Sequence, residues 1–446
     1  MKHLILLFLA LFSFSFSGNE IYNWKNKTEN AEYVHRAIKL MTDIMVHDIY
    51  SPPVVSRTYA YICIAAYEAA LPGYSNYRTF AGQLHGLKPL PKPKTGKEYC
   101  YALASVQAIL SVGKTMVVSE EKVNEFNRAI MKEFKDAGVP LDVYNNSIAY
   151  GQDIANQIIA WAAQDNYKQT RTFSKYAPNK DAASWKPTPP SYMKAVEPHW
   201  NQIRTFGIDS AQQFKPLKPT PFSVDKNTQF FKEALAVHDI VLNLSEEQKQ
   251  IANFWDCNPF KMNVNGHVMY ASKKISPGGH WINITRLVCR KTAAGLMQSL
   301  QAYACLSITI ADAFISCWDE KYRSILIRPE TYINQYIDGS WMPLLQTPPF
   351  PEYTSGHSVI SAASAVMLTN IFGENLSFTD STEVEFGIPA RHFNSFIQAS
   401  KEAAISRFYG GIHYMPAILN GAEEGNRIGN FMLRKLTTTK ESTAKN

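Results

Sequence analysis

Residues 291–320, KTAAGLMQSLQAYACLSITIADAFISCWDE, form a long run in which apolar side chains recur at the spacing of an α-helix. The same spacing recurs before and after this run, whereas the alternation typical of half-buried strands is nearly absent. We therefore predict an all-α fold. Further helices are predicted at 31–50, 54–71, 101–116, 123–138, 143–165, 229–241, 245–254, 358–372, 390–407 and 420–436.

One long segment, 166–228, lacks this spacing and is rich in proline and aromatic residues. It divides the chain into an N-terminal helical region, 19–228, and a C-terminal helical region, 229–446. We expect the aromatic side chains of the segment to pack across the helices. The segment is then either a structural wrap, which is the more common case, or a lid or wall of a functional site.

The composition is that of a folded protein with a large core, because 46% of the 446 residues are hydrophobic and only 19% are charged. A disordered or coiled-coil chain is excluded on this basis. The formal net charge of +7 is modest and is not concentrated in a long block of Lys and Arg. Such a charge suits small anions and does not favour nucleic acid as a partner.

Residues 1–18 have the pattern of a secretory signal peptide. Lys2 is followed by an apolar run from Leu4 to Phe12 and by small residues that suit cleavage near Ser17 or Gly18. We expect a periplasmic or secreted protein without a permanent membrane anchor, because the apolar run is too short to favour a membrane span. The sequence does not indicate an oligomeric state.

The six cysteines form no C-x-x-C pair, so they do not indicate a zinc ribbon or a thioredoxin-like motif. Export permits disulfides without requiring them. Cys305 and Cys317 lie in one predicted helix, where twelve residues correspond to about 18 Å, too far for a disulfide. At least some of the six are expected to be buried thiols.

A first cluster of chemically useful residues is Lys321 and Arg328, followed by Pro329. If this run is helical, the two side chains lie two turns apart on one face, about 10.5 Å along the axis, and could hold an anion between them. A solvated helix face is the more common reason for such spacing.

A second cluster, Thr354, Ser355, Gly356 and His357, lies immediately before an apolar helical run. Ser355 is placed to cap the helix, Gly356 allows close approach to the backbone, and the free N–H groups of the helix start favour an oxyanion. An ordinary capped helix is the alternative.

A third cluster places Arg407 and His413 on either side of Gly410-Gly411. The two glycines allow a turn that lets both side chains face one pocket. Together, the three clusters supply three cations, a helix start and two histidines, which is a set suited to a tetrahedral oxyanion.

The order and spacing of these clusters resemble the vanadium-dependent haloperoxidases, which share an anion site with the type 2 phosphatidic acid phosphatase superfamily. The superfamily pattern is K-x6-R-P, then P-S-G-H, then S-R-x5-H. This chain has Lys321-x6-Arg328-Pro329, then Ser355-Gly356-His357, then Ser406-Arg407-x5-His413. Thr354 stands where the pattern has Pro, a change that we expect to be tolerated. The resemblance implies the helical bundles of this enzyme and phosphatase group.

The resemblance also implies a vanadate cofactor whose metal is bonded to His413. The implied catalytic residues are His357, as general acid and base, His413, and Lys321, which would polarise bound peroxide. Hydrogen peroxide and a halide would be the substrates and hypohalous acid the product. The implied donors to the vanadate oxygens are Lys321, Arg328, Ser355, the Gly356 N–H and Arg407.

Around this set, the resemblance implies that Asp256 pairs with Arg407, although Asp256 could instead be an ordinary residue of a loop that follows a helix. It also implies that Trp318 and Phe350 form walls of the pocket. His280, in PGGHW, lacks metal-ligand spacing and is more often structural, but its glycine-rich surroundings could bring it near the pocket.

Two other functions are compatible with the clusters. A secreted acid phosphatase would use His413 as the nucleophile and His357 as the acid. Ala417 argues against it, because the phosphatase pattern has an Asp there that orients the nucleophile, and the long helical region before the motifs also favours the oxidase. A non-catalytic binding protein would have lost one of the two histidines, yet both are present. Iodide is the easiest halide to oxidise and matches the secreted bacterial enzymes that the chain resembles, while bromide is possible.

Overall fold

The computed structural model describes residues 19–259, 261–265 and 267–440. The predicted signal peptide, 1–18, lies outside the described residues. Most of the described chain is helical, and the helices pack as bundles, so the predicted all-α class is confirmed.

The first part of the chain folds into helices that match the five predicted there within a few residues and adds two short ones. Their bounds are α1 (Asn19–Thr28), α2 (Glu32–His47), α3 (Pro52–Ala70), α4 (Tyr101–Lys114), α5 (Glu120–Asp136), α6 (Leu141–Ala162) and α7 (Tyr167–Thr170).

The second part of the chain carries the longest helix, and several of these helices begin at a capping side chain or a proline. Their bounds are α8 (Gln229–Leu242), α9 (Glu246–Phe254), α10 (Pro277–Lys291), α11 (Leu296–Ser324), α12 (Pro329–Tyr336), α13 (Gly356–Phe372), α14 (Phe396–Tyr409) and α15 (Met415–Lys435).

Helix α11 lies at the centre of the molecule, between α3 on one side and α13 on the other. By length and composition α11 is apolar enough to cross a membrane, but 94% of its most apolar stretch is buried inside the protein. A helix that is apolar all round requires such burial on every face. The largest hydrophobic core runs through α11 and includes residues from both the N-terminal and the C-terminal helical region. The boundary between these regions at 228 stays a prediction.

Two short antiparallel hairpins accompany the helices in the described part of the chain. Strand β1 (Lys261–Asn265) pairs with β2 (Val268–Ser272), and β3 (Phe378–Asp380) pairs with β4 (Arg391–Phe393). The prediction of a helix from 390 is therefore wrong over its first residues. Ser395 caps α14 by accepting the N–H of Gln398, and the preceding residues pair with β3, burying Phe393 against Phe378.

The irregular segment 166–228 packs across the helices, as predicted. The carboxylate of Asp312 on α11 accepts the backbone N–H groups of Phe206, Gly207 and Ile208 at 2.7 to 2.9 Å. Trp185 and Trp200 in this segment are also buried. The six cysteines are free and buried, which confirms the prediction of buried thiols.

Candidate anion site

Lys321 and Arg328 do not lie on one helix, which corrects the interpretation of the first cluster. Lys321 is in the last turn of α11, which ends where Ile325 takes a left-handed conformation with φ of 49°. Arg328 is extended and stands at the start of α12, because the ring of Pro329 disfavours helical backbone at the preceding residue. The break turns the two cations toward the loop that carries the second cluster.

The second cluster forms the start of α13, as predicted. The hydroxyl of Ser355 accepts the N–H of Ser358 at 3.4 Å, and Gly356 is the first helical residue. Helix α15 approaches this point closely, since a Cβ on Gly421 would lie 3.1 Å from the Ser355 carbonyl oxygen. Only glycine permits that approach without displacement of one helix.

The turn between α14 and α15 brings Arg407 and His413 to one cavity. Gly411 has a φ of 75°, and a Cβ there would come within 2.9 Å of Val241. A residue with a side chain would be strained and crowded at this position. Six of the predicted residues line this cavity, together with Cys257 and Phe314. The six are Trp318, Phe350, Gly356, His357, Arg407 and His413.

Lys321 lies behind this wall. Its ammonium donates to the carbonyl oxygens of Pro351 and Glu352, each at 3.1 Å, and to that of Thr354. Burial lowers the pKa of Lys321 to about 8. The ammonium therefore holds the loop that leads into α13, and the direct contact with the anion that the resemblance implies stays a prediction.

Arg328 reaches the same point from the other side. Its Nε donates to the Phe350 carbonyl oxygen at 2.9 Å, and its Nη1 donates to that of Ile412 at 2.8 Å. Nη1 also lies 3.1 Å from Nε2 of His413, while Nη2 has no partner. The ring of Phe350 packs 5.1 Å from both the Arg328 guanidinium and the Lys321 ammonium, so this wall residue contributes attraction for cations as well as shape.

Arg407 does not pair with Asp256. Its Nη1 donates to the backbone carbonyl oxygen of Trp255 at 2.8 Å, and its Nε has no partner. The Asp256 carboxylate is instead 2.9 Å from the ammonium of Lys274 and 3.7 Å from that of Lys261. The predicted direct contact therefore does not form, because the turn after α9 presents a backbone oxygen to Arg407 and directs the neighbouring carboxylate toward these lysines. The charge of Asp256 still opposes the lowering of the Arg407 pKa by burial.

His413 is oriented by a carboxylate that the sequence interpretation missed. Glu352 Oε1 lies 2.8 Å from Nδ1 of His413 and also accepts the backbone N–H of Tyr414 at 3.0 Å. Nδ1 therefore carries the proton, and Nε2 presents a lone pair to the cavity side. Burial, followed by the charges of Arg328 and Lys321, holds the pKa of His413 well below its usual value, so the ring is neutral.

His357 is the second imidazole at the cavity. Burial and the charge of Arg407 hold its pKa well below the usual value, and its Nε2 has no partner. Three buried nitrogen atoms near His413 thus lack partners: Arg328 Nη2, Arg407 Nε and His357 Nε2. Buried polar atoms are rarely left unpaired in proteins. The two guanidinium nitrogens need acceptors, so the set indicates a ligand whose oxygens accept hydrogen bonds.

A second missed carboxylate explains why threonine suits position 354. The Thr354 hydroxyl donates to Glu424 Oε2 at 2.8 Å, and the hydroxyl of Ser316 donates to Oε1 at 2.7 Å.

Of the two missed carboxylates, Glu352 had a weak sequence signal, since it is the single carboxylate in PPFPEYTSGH, next to the predicted helix start. Glu424 had none, because it lies on α15, far along the chain.

The segment 166–228 supplies none of the residues found to line this cavity. Its contact with the site is indirect, because the Val196 carbonyl oxygen accepts the indole N–H of Trp318 at 3.2 Å and the hydroxyl of Tyr322 at 2.6 Å. This arrangement favours the structural wrap over the lid.

Comparisons with known proteins agree with this geometry. A family model described as the VCPO second helical-bundle domain matches residues 301–441. A solved bacterial vanadium-dependent iodoperoxidase is 47% identical with a TM-score of 0.88, over 93% of this chain and 99% of that one. A holo-type bacterial vanadium-dependent chloroperoxidase is 17% identical with a TM-score of 0.67, over 86% and 92% of the two chains, and shares the fold. Comparison with curated proteins gave no match.

Proposed function

This chain belongs to the vanadium-dependent haloperoxidases, which use vanadate and hydrogen peroxide to oxidise halides, and from that premise we propose that its preferred halide is iodide. The relative that is 47% identical is an iodoperoxidase. Iodide also loses electrons more readily than bromide or chloride. The single observation that carries the proposal is this likeness over nearly the whole chain.

The residues present fit vanadate. Arg328 Nη2 and Arg407 Nε would donate to its oxygens, together with the N–H of Gly356 at the start of α13. The neutral Nε2 of His413 would face its central atom. When bound, vanadate supplies a Lewis-acid centre at which peroxide is activated toward halide.

The remaining residues hold this arrangement and move protons. Glu352 fixes the tautomer and ring orientation of His413. Lys321 fixes the loop before α13 and contributes a positive charge close behind the oxyanion site. His357 has a free Nε2 at the cavity and a lowered pKa, so it can accept a proton from peroxide there. The rings of Trp318 and Phe350 exclude water from that side.

Phosphate ester hydrolysis is a second candidate, and the pairing of Glu352 with His413 favours it. The sequence argument against a phosphatase was that Ala417 replaces an orienting Asp. Glu352 supplies that orientation from a different element, so position 417 no longer distinguishes the two reactions. A neutral, oriented imidazole is also a competent nucleophile toward phosphorus.

One set of assays separates these functions. The purified protein is incubated with orthovanadate, and peroxide-dependent oxidation of iodide and of bromide is measured beside vanadate-free hydrolysis of a phosphomonoester. We expect iodide oxidation at least about tenfold faster than bromide oxidation in kcat/KM, with inhibition by phosphate because both oxyanions fit one site. Faster bromide oxidation would refute the iodide assignment, and hydrolysis that exceeds both oxidations would favour the phosphatase.

We also propose that the enzyme is exported. Residues 1–18 support this proposal by their basic start, apolar run and small residues.

A further inference from the structure

A cluster of buried ligand-type side chains lies beside the anion site. Cys257 follows α9, His280 is in the first turn of α10, and Glu383 follows β3. Their Sγ, ring nitrogen and carboxylate oxygen lie within 4.8 Å of one another. None of the three belongs to the anion-binding set, although Cys257 also lines its cavity.

The spacing inside this cluster is that of a tetrahedral metal site. His280 Nδ1 lies 3.4 Å from the Cys257 sulfur and 3.2 Å from Glu383 Oε1. Bond lengths of about 2.3 Å to sulfur and about 2.0 Å to nitrogen and oxygen, at tetrahedral angles, place such ligand atoms about 3.5 Å and about 3.3 Å apart. The two separations from His280 Nδ1 therefore already match those that a shared zinc ion would give, and the Cys257 sulfur lies within 4.8 Å of a Glu383 carboxylate oxygen.

A further carboxylate orients the histidine. His280 Nε2 is 2.7 Å from Asp380 Oδ2, and Asp380 Oδ1 accepts the N–H of Thr382 at 2.9 Å. Although burial lowers it, the charges of Asp380 and Cys257 hold the pKa of His280 well above its usual value. A metal at Nδ1 would therefore displace a proton there, while Asp380 keeps the proton on Nε2. Histidines that bind metals usually have such a carboxylate on the second nitrogen.

Glu383 provides an independent indication of a ligand. Its side chain is 1% exposed, and its Oε2 oxygen has no hydrogen-bond partner. Oxygen Oε1 lies 3.2 Å from His280 Nδ1 and pairs with it when the histidine is protonated. A buried carboxylate oxygen is rarely left without a partner, so Oε2 indicates a ligand that a metal ion would supply.

We propose that Cys257, His280 and Glu383 bind one Zn²⁺ ion. Thiolate, imidazole and carboxylate together are a ligand set that zinc accepts readily. The ion would fix the turn after α9, in which the Trp255 ring stacks 4.6 Å from His280 and the Trp255 carbonyl oxygen holds Arg407. Its role is thus structural support for one of the anion-binding arginines, and the proposal holds whichever halide the enzyme prefers.

The test counts zinc directly. The protein is produced with zinc in the medium, dialysed against a weak chelator without unfolding, and analysed for metal by mass spectrometry. We expect about one zinc per chain in the wild type and in the matched control Cys289→Ala, which removes another buried thiol on α10. Cys257→Ala and Glu383→Gln should each retain at least tenfold less.

Cobalt(II) provides a second measurement that reports the ligands. Growth with cobalt in place of zinc should give a near-ultraviolet thiolate-to-metal absorption band that is present in Cys289→Ala and absent in Cys257→Ala. If Cys257→Ala fails to fold, the Glu383→Gln variant, which keeps the side-chain shape, decides the matter by its metal content. Wild-type protein that retains no zinc, or equal retention by Glu383→Gln and the wild type, would overturn the proposal.

Discussion

Two regions of the molecule bury arginines in opposite ways. Beside α3 and α6, Arg57 Nε donates to the carboxylate of Asp165, which also accepts the hydroxyl of Tyr61 at 2.9 Å. At the anion site, Arg407 touches no carboxylate and leaves Nε without a partner. The first arrangement neutralises a buried charge within the fold, whereas the second keeps buried donors available for a ligand.

The difference explains how a stable protein can carry a reactive site. A buried charge without a directly bonded counter-charge is costly. Burial lowers the pKa of both Arg328 and Arg407, and the charges of Glu352 and Asp256 oppose this only in part. Carbonyl oxygens from three separate loops, at Phe350, Ile412 and Trp255, compensate part of this cost through hydrogen bonds. The rest would be compensated by a bound oxyanion, so we expect the site to gain stability from its cofactor.

The largest effect is expected at His413. His413→Ala should lose at least about 100-fold in vanadate affinity, measured by equilibrium dialysis, because the nitrogen that would face the metal is removed. His357→Ala should bind vanadate nearly as well as the wild type and lose most of its turnover. Since His357 Nε2 has no partner, vanadate-free His357→Ala should unfold at a urea concentration close to that of the wild type, whereas vanadate-free His413→Ala also loses the hydrogen bond to Glu352 and should unfold at a lower one. Unchanged vanadate affinity in His413→Ala would contradict the assignment.

At the pair of Arg57 and Asp165 we expect the opposite result, a loss of stability without a loss of activity. Asp165→Asn removes the counter-charge of Arg57 and should lower the free energy of unfolding by about 3 kcal/mol, measured with urea. Its kcat and vanadate affinity should stay within about twofold of the wild type, because the pair lies outside the anion cavity. The matched control Asp153→Asn changes an exposed carboxylate on α6 and should alter neither quantity. An Asp165→Asn variant that is as stable as the wild type but inactive would contradict this contrast between the two regions.

The smallest effect is expected at Glu352, which acts through His413. Glu352→Gln keeps an acceptor for Nδ1 but removes the charge, and should reduce vanadate affinity about tenfold. The kcat at saturating vanadate should change less than the vanadate affinity, as expected for a residue that positions His413 and does not itself react. Glu68→Gln is the control, since Glu68 is another buried carboxylate whose pKa burial raises to about 7, and it binds Thr79 and Phe80 far from His413. Equal losses in both variants would refute a specific role for Glu352.

Local patterns predicted most helices because each depends on residues close in sequence. Two of the predictions that failed did so for the same kind of reason. The helix expected from 390 begins at Phe396, since β4 pairs with a strand that precedes it by more than ten residues. The pair of Asp256 and Arg407 does not form, because lysines on and beside the β1–β2 hairpin take the carboxylate. Both outcomes depended on partners that helical periodicity does not reveal.

The sequence by itself determined the helical class and predicted a set of residues for an oxyanion, because periodicity and motif spacing are properties of the chain alone. Only the tertiary structure decided which donors stay unpaired. It placed Lys321 against three carbonyl oxygens, gave His413 the carboxylate of Glu352, and left Arg407 Nε without a partner. The physical reason is that a buried polar atom is satisfied by whatever distant segment packs against it, and that neighbour is fixed only when the whole core closes.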